Sequence, residues 1–427
     1  MVIKQRGLVL GATAVVLTAV AVTGAGLRQS EAFFQESPKE LVDEVWQIIN
    51  RTYVDGTFNK VDWKSVRNQY LGRSYANKEE AYKAIREMLE KLGDPYTRFM
   101  NPEEFQNMQI DTSGELTGVG IQLAKDEETK ELVVISPIEE TPAFKAGILA
   151  KDVIVKIDGK TTKGMEVDDA VKLIRGKPGT SVTLTIKRET KEIDYPLTRE
   201  RIEIHPVRAH VEQTPAGKIG YIRLTQFSAQ ASEEMRDAIQ KYENEEKVVG
   251  YILDLRSNPG GLLYSSVDIA RMWIDDGAIV STVDRRGEVE RQRANGSALT
   301  EKPLVVLVDG GSASASEILS GALQDNKRAI IVGTKTFGKG LVQSVRGLGD
   351  GSGLAVTIAK YLTPNGRDIN KHGIDPNVVF ELSEQQRKAL QKDRTQIGTF
   401  NDPQFVKAFD VLKQEIAKKS PVPQASK

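Results

Sequence analysis

Hydrophobic residues first recur at helical spacing shortly after residue 36. The stretch Ser37-Pro38-Lys39-Glu40 has the form of a capping box with proline in the first turn, which predicts the start of a helix. The apolar positions that follow fit one face of that helix: Leu41, Val42, Val45, Trp46 and Ile49. Similar spacing predicts helices over 61–71 and from Asn77 to Leu92, where Gly93 ends the pattern. Residues 31–110 are therefore predicted to form a small helical unit.

The pattern becomes strand-like in the next segment, residues 111–200. Short runs rich in β-branched residues predict strands over 118–123, 132–135, 152–157 and 182–186. The turn residues Asp158-Gly159 follow one of these runs, and a single helix is predicted over 167–174. This composition indicates a second domain with short strands and one main helix.

Strands alternate with helices over residues 201–385. Strands are predicted over 219–224, 248–255, 304–308 and 329–332, with helices over 231–242, 265–273 and 314–325 between them. Such alternation is typical of an α/β core. The final segment, 386–427, contains a predicted helix over 403–417 and a Pro/Ser-containing tail that is predicted to be disordered.

The first 30 residues have the character of an export segment. Lys4 and Arg6 precede an uncharged run from Gly7 to Leu27 that ends in small residues. The run fits a cleaved signal peptide, and it is also long enough for an uncleaved anchor that would attach the protein to a membrane. Both alternatives predict export.

Composition excludes several classes of function. Basic and acidic residues both number 59 and no dense basic block occurs, which argues against nucleic-acid binding. The absence of cysteine excludes disulfides, thiol catalysis and iron–sulfur clusters. The three histidines, His205, His210 and His372, are not grouped at metal-ligand spacing, so we predict no metal and no cofactor. A hydrolase built from this chain would therefore need an unusual base.

Three glycine-rich turns follow strands of the predicted core. The first leads from Asp309-Gly310-Gly311 to Ser314, where a serine hydroxyl at a helix N-terminus could react beside backbone N–H groups that stabilise an oxyanion. The alternative is structural, because Ser314 and Glu317 also form a capping-box pattern. The second turn contains Gly260-Gly261, which either exposes N–H groups to a substrate carbonyl or makes a plain turn.

The third turn, 333–340, nearly matches a phosphate-binding loop. Gly340 replaces the required Ser or Thr, and a strand follows where a helix should begin, so we reject a nucleotide site. Lys339 stands between Gly338 and Gly340 and could pack closely against backbone. Burial would lower its pKa and let the neutral amine accept a serine proton. The alternative is an ordinary solvated lysine.

Longer stretches around these turns resemble the carboxyl-terminal processing peptidases, in particular their cyanobacterial and plastid branch. The resemblance covers nearly the whole chain after the export segment, and the stretches that carry it include 92–99, 255–261, 312–329 and 336–343. It implies an α+β multidomain protein with an N-terminal helical unit, a PDZ domain over 111–200 and an α/β peptidase core of the crotonase/ClpP-like type over 201–385. It also implies a serine endopeptidase that acts near the C-terminus of exported proteins.

The resemblance assigns roles to individual residues. Ser314 would be the nucleophile, Lys339 the base, Gln343 the residue that orients the lysine, and Asp325 a supporting acid. The N–H of Ala315, with that of Gly260 or Gly261, would form the oxyanion hole. The PDZ carboxylate loop would consist of Thr117, Gly118, Val119, Gly120 and Ile121, and Arg175 would couple peptide binding to the alignment of the protease.

The implied partner is the C-terminus of a protein substrate, for which the family suggests a photosystem II reaction-centre precursor. The implied location is the periplasm or thylakoid lumen, and the oligomeric state stays open. Two rival classes remain, a non-catalytic PDZ adaptor and a crotonase-like acyl-CoA enzyme. The presence of both Ser314 and Lys339 argues against the first. Export argues against the second, because exported compartments are poor in CoA.

Overall fold

The computed structural model describes residues 37–126, 129–138, 140–287 and 289–419. The predicted export segment and the predicted disordered tail after residue 419 lie outside this range. Within it, no helix combines the length and the apolar character needed to cross a bilayer.

The N-terminal part of the described chain is helical, as its pattern predicts. It consists of α1 (Pro38–Thr52), α2 (Trp63–Leu71), α3 (Lys78–Glu90), the short strand β1 (Arg98–Met100) and α4 (Pro102–Ser113). The predicted capping box at Ser37 is present, since the Ser37 hydroxyl accepts from Glu40 N at 3.2 Å and Glu40 accepts from Ser37 N at 2.8 Å. Sequence analysis missed α4, although a second capping box of Asn101 and Glu104, with Pro102 between them, marks its start.

The helical unit is fused to the core by strand pairing and by a shared hydrophobic cluster. β1 pairs antiparallel with β18 (Gly353–Leu362), so Phe99 lies opposite Leu354. Phe99, Leu354 and Val356 are buried in the same cluster as the apolar face of α1. Burying this face stabilises the attachment, and the attachment brings the segment before β1 close to the core.

The next unit is a small β-domain with one main helix. Its elements are β2 (Glu115–Gly118), β3 (Ile121–Lys125), β4 (Leu132–Pro137), α5 (Pro142–Lys145), β5 (Val153–Ile157), β6 (Lys160–Thr161), α6 (Val167–Ile174), β7 (Ser181–Arg188), β8 (Lys191–Thr198) and β9 (Glu200–Glu203). The main sheet has the order β3-β4-β5-β7-β8, and β2 pairs with β9. The continuous strand predicted over 118–123 is wrong. Gly120 has a φ of +79°, which ends one strand before the next begins.

The largest unit is an α/β core. Its elements are β10 (Val207–Thr214), β11 (Gly217–Leu224), α7 (Ala231–Lys241), β12 (Gly250–Asp254), α8 (Leu263–Trp273), β13 (Ala278–Asp284), β14 (Val289–Arg293), β15 (Leu304–Val308), α9 (Ala315–Asp325), β16 (Ile330–Gly333), β17 (Leu341–Gly347), β18, β19 (Val378–Val379), α10 (Glu384–Lys392) and α11 (Pro403–Lys419). The main sheet has the order β10-β11-β12-β15-β16-β19, and it is parallel from β11 onward. Residues of α7, α8 and α9 cluster with one set of sheet residues, and residues of α11 cluster with another. The predicted strand–helix alternation is confirmed.

A second sheet crosses the end of this core and completes the surroundings of the site. β17 pairs along nearly the whole of β18, which also pairs with β1 and β13. The strand predicted directly after Gly340 is β17 and is confirmed, whereas β1, β13 and β18 were not predicted. β17 becomes exposed toward its end, and β18 is buried along most of its length without regular alternation.

A buried ion-pair cluster closes the carboxyl end of the parallel sheet. Arg256 donates to Asp254, at the end of β12, and to Asp402, just before α11, with shortest distances of 2.6 and 2.7 Å. Burial opposes the ionisation of Asp254, but the Arg256 guanidinium, together with the charge of Arg223 and the hydrogen bond from Tyr221, outweighs it and holds the pKa of that carboxyl below its usual value. The arginine therefore connects α11 to the strand that leads into the Gly260-Gly261 turn.

Replacing this arginine should destabilise the protein strongly. In Arg256→Ala two buried carboxylates lose their cation, so we expect the free energy of unfolding, measured by urea denaturation, to fall by about 3–5 kcal/mol. Arg208→Ala, on exposed β10, is the matched control and should change it by less than about 0.5 kcal/mol. Equal stability of the two variants would contradict this role of the cluster.

Candidate active site

Ser314 lies at the start of α9 with a strained backbone. Its φ and ψ are 54° and −112°, a combination that non-glycine residues rarely adopt. The turn is held from two sides: the carboxylate of Glu317 accepts from Ser314 N at 2.9 Å, and Ala313 N donates to Asn258 O at 3.0 Å. Glu317 N donates in turn to the Ser314 carbonyl at 2.8 Å. These hydrogen bonds hold the serine in its strained conformation at the N-terminus of α9.

The glycine pair lies against this turn. Gly260 and Gly261 have φ values of +103° and +142°, and a Cβ on Gly260 would come within 2.9 Å of Ala315 N and of the Ser314 side chain. Only glycine permits so close an approach. Gly260 N donates to Asn258 Oδ1 at 2.9 Å, so its N–H is already used. Of the two predicted glycine donors, this leaves Gly261 to act beside Ala315.

Lys339 lies on a loop between β16 and β17 that packs tightly against neighbouring backbone. A Cβ on Gly338 would lie 3.1 Å from His372 N, and one on Gly340 would lie 2.6 Å from Asn370 N. Burial and the nearby charge of Arg98 lower the pKa of Lys339, against the opposite effect of Asp94 and Glu317. The direction of this shift is the one that the glycine-flanked sequence predicts.

The N-terminal helical unit supplies one wall around the lysine. Lys339 Nζ lies over the Tyr96 ring, 4.9 Å from its centroid, and Arg98 lines the same cavity. Burial, with Asp94 and Glu317 nearby, raises the pKa of the Tyr96 hydroxyl, so this group stays neutral at physiological pH. Neither residue was assigned a role from the sequence, although both belong to the stretch 92–99 that carries the family resemblance.

Gln343 enters the site from β17. The register of β17 against β18 shifts between Val342 and Gln343, an irregularity of the kind that redirects side chains. Gln343 Nε2 is buried, and within the described part of the chain it has no hydrogen-bond partner. This unused donor can bind an acceptor atom of the substrate. It can also bind one on Lys339 or Ser314 after that side chain has rearranged.

One cavity of about 560 Å³ collects the predicted residues. Its lining includes Gly260, Gly261, Ser314, Ala315, Lys339 and Gln343, together with Tyr96 and Arg98. Apolar side chains of α4, α9 and β17 line the rest: Met108, Ile318, Leu341 and Val345. The structure therefore brings together a serine, a half-buried lysine, backbone donors and apolar side chains.

Asp325 is not part of this cluster. It is the last residue of α9, whereas Ser314 precedes the first, and its carboxylate accepts from Asn365 N at 3.0 Å and from Arg367. Its contacts stabilise the turn after β18. A supporting role at the active site would have to act through that turn.

The predicted PDZ loop forms the junction between β2 and β3. Val119 is buried, and the carbonyls of Val119 and Gly120 accept from Ala143 N and Ile138 N, both at 2.9 Å, which fixes the loop. Beyond it, Ile121 and Leu123 on β3 stay half-buried. The loop is therefore rigid and leads into a strand with partly exposed apolar residues.

Arg175 follows the main helix of this domain and contacts α4 directly. Its guanidinium donates to Asn107, and Lys172 on the same helix forms a 2.8 Å ion pair with Glu103. Because Met108 and Thr112 of α4 line the catalytic cavity, α4 connects the two. The capping box that marks the start of α4 was the sequence signal from which this helix, and so this link, could have been predicted.

Comparisons with known proteins identify the domains of this chain. Residues 218–380 match Peptidase family S41, and residues 133–188 match a PDZ domain. The chain is 47% identical to a carboxyl-terminal-processing protease of Synechocystis over 83% of this chain and 84% of the relative. It is 43% identical to a protein of the same name from Picosynechococcus, over 97% and 98% of the two chains. The chain belongs to the carboxyl-terminal-processing proteases of family S41.

A solved structure supports the same assignment. The photosystem II D1 C-terminal processing protease matches with a TM-score of 0.57 and 37% identity, over 86% of this chain and 99% of that one. The predicted family, the multidomain fold with its PDZ domain and the serine-peptidase activity are therefore confirmed.

In this protease one buried carboxylate holds the turn of Ser314 and the loop of Lys339 together. Glu317 is fully buried and accepts from Thr336 Oγ1 at 2.6 Å, from Gly338 N at 2.7 Å and from Lys339 N at 2.9 Å, in addition to Ser314 N. From the sequence, Glu317 was predicted only as half of a capping box. Its contacts to a loop 19–22 residues away could not be read from that local pattern.

Glu317→Gln tests this role of the carboxylate. The amide keeps the shape, but its NH2 group would face N–H and O–H donors, so we expect a loss of about 1–3 kcal/mol in the free energy of unfolding. Peptidase activity should fall more than this stability loss explains, because both catalytic loops lose a common support.

Glu384→Gln is the matched control for this variant. Glu384 is exposed in the first turn of α10, so neither stability nor activity should change. Full activity of Glu317→Gln under conditions where it is folded would refute the shared support.

Proposed function

We propose that the protein is an endopeptidase with a Ser314–Lys339 dyad that cleaves near the C-terminus of exported proteins. The observation that carries this proposal is the shared cavity, in which a half-buried lysine of lowered pKa and a strained serine are held by one carboxylate. A solvated lysine could not serve, since at its ordinary pKa it is almost fully protonated at neutral pH.

The reaction is acyl transfer in two steps. Ser314 Oγ attacks the scissile carbonyl carbon, and its proton passes to neutral Lys339 Nζ. Ala315 N–H and Gly261 N–H stabilise the oxyanion. The C–N bond then breaks as Lys339 returns the proton to the leaving amine. In the second step Lys339 takes a proton from water, the hydroxide adds to the acyl carbon, and Ser314 leaves with the proton.

Gln343 and Tyr96 assist the lysine in different ways. The buried Nε2 of Gln343 is an unused donor in the same cavity, and as a neutral group it can orient the amine side chain without favouring the ammonium form. The Tyr96 ring covers Nζ and shields it from water.

The substrate enters by its C-terminus. The fixed loop at Val119–Gly120 would bind the terminal carboxylate, and β3 would pair with the peptide behind it. The Arg175–Asn107 contact would transmit this binding to α4 and so to the cavity wall. Similarity to the photosystem II D1 processing protease supports a photosystem II reaction-centre precursor as the substrate, and the predicted export segment supports the periplasm or thylakoid lumen as the location.

The dyad makes a sharp prediction for substitutions. Ser314→Ala and Lys339→Arg should each lower the cleavage rate of a model peptide about 100- to 10,000-fold, because one lacks the nucleophile and the other has a base that cannot release its proton. Mass spectrometry of the peptide products measures this loss.

Lys335→Ala is the control on the same loop. Lys335 is exposed and pairs only with Asp375 in the described chain, so this variant should keep most of the activity. A non-catalytic PDZ adaptor would cleave nothing in any of these proteins. Substantial cleavage by Lys339→Arg would exclude the Ser–Lys assignment.

The lowered pKa of Lys339 predicts the pH dependence. Activity requires the neutral amine, so it should rise with pH through an ionisation below the ordinary lysine value of 10.5. Arg98 disfavours the ammonium form, and removing its charge in Arg98→Gln should raise that pKa. The rising limb of the pH–rate profile should then move to higher pH, with less activity at pH 7 and recovery at alkaline pH. A shift to lower pH, or a loss that alkaline pH does not restore, would contradict this role of Arg98.

A further inference from the structure

A second cavity, here called the rear cavity, lies where the parallel strands end. It has a volume of about 690 Å³, and its walls include Arg223 at the end of β11 and residues of α10. In open α/β sheets, ligands bind in the crevice outside the carboxyl ends of the strands. The volume also lies within the range of ordinary ligand sites, roughly 300–1,000 Å³.

The rear cavity shares its walls with the active site through three loops. Ser257, Gly311 and Lys335 line the rear cavity. A few residues further along the same loops, Gly260, Ser314 and Lys339 line the catalytic cavity. An occupant of the rear cavity would therefore contact each loop that carries the proposed oxyanion donor, nucleophile or base.

The Asp309 carboxylate in its wall and the Asp254 carboxylate behind the wall are already used. Asp309 accepts from Ser257 N at 2.8 Å, from Ser257 Oγ at 3.1 Å and from Gly311 N at 2.9 Å. Behind the wall, the oxygens of Asp254 accept from Arg256 and from the Tyr221 hydroxyl. These carboxylates have little capacity left for a ligand.

A donor, by contrast, is unused. Arg223 lines the cavity, and its buried Nε has no hydrogen-bond partner within the described residues. Arg387 and Arg394 add guanidinium groups at exposed positions of the wall, and of these Arg387 pairs with the Glu381 carboxylate at 3.6 Å. Because a buried guanidinium N–H without a partner is costly, this arrangement favours an anionic acceptor such as a carboxylate.

Part of the remaining wall is apolar. Leu382, Leu390 and Ile397 line it, and Leu390 is buried. An apolar side chain next to a carboxylate is the chemistry of a peptide's C-terminal residue.

We infer that the rear cavity binds the C-terminal residue of a short peptide, with the carboxylate on Arg223 and Arg394 and an apolar side chain against Leu390. The released C-terminal fragment of the proposed reaction has this chemistry. If the bound peptide is this fragment, the inference rests on the proposed function. Binding of a peptide's C-terminal residue as such does not depend on it.

The test uses N-acetyl-leucine and its amide as probes, with hydrogen–deuterium exchange of the full chain followed by mass spectrometry. The acid should slow exchange in 309–313 and 384–397, and the amide should not. With Arg223→Gln, about ten times more of the acid should be needed for the same slowing of exchange. Arg394→Ala should weaken it roughly threefold, and as an exposed residue it should leave the fold intact.

Arg291→Ala, on the exposed strand β14, is the control and should respond as the parent does. Slowing confined to the PDZ segments 115–125 and 167–175, equal slowing by the amide, or an unchanged response of Arg394→Ala would each overturn the inference. The probes contain no bond for the peptidase to cleave between residues, so this result is independent of the outcome for the Ser314–Lys339 dyad.

Discussion

The buried carboxylate of Glu317 is the interaction on which the catalytic geometry depends. Its two oxygens accept four hydrogen bonds, one from the N-terminus of α9 and three from the loop that carries Lys339. A charged acceptor without such donors could not be buried at acceptable free energy. The donors come from two segments that are otherwise separated by α9 and β16. The carboxylate therefore fixes the serine turn and the lysine loop relative to each other, which packing of small residues alone would not do.

The sequence predicted the parts of the site that are local and missed those that depend on distant contacts. Ser314, Gly260 and Lys339 follow core strands, and turns after parallel strands meet at one edge of a sheet, so their convergence could be expected. Tyr96 reaches Lys339 only because β1 pairs with β18, a register that no local pattern encodes. The Asp325 prediction has a related limit. It rested on the family resemblance and did not use the position of this residue at the end of α9.

The fold was predictable to a similar degree. Amphipathic helices and buried parallel strands have strong periodic signals, and both were found. Within the second sheet the start of β17 was predicted from the run after Gly340, but β18 was missed because it is buried without regular alternation. Yet this sheet joins the N-terminal helices to the core and places Gln343 beside the lysine. A linking element can therefore have a weak sequence signal and still determine the site.

The site must reconcile two opposed electrostatic demands. The carboxylate that positions Lys339 also favours the ammonium form of its side chain, which would remove the base. The shift nevertheless goes toward lower pKa, because burial and Arg98 outweigh Glu317 and Asp94. Glu317 binds the backbone N–H of Lys339, so the amine can extend away from the charge and lie over the neutral Tyr96 ring. Attaching the carboxylate to the main chain thus lets one acid support the lysine that we propose as the base without protonating it.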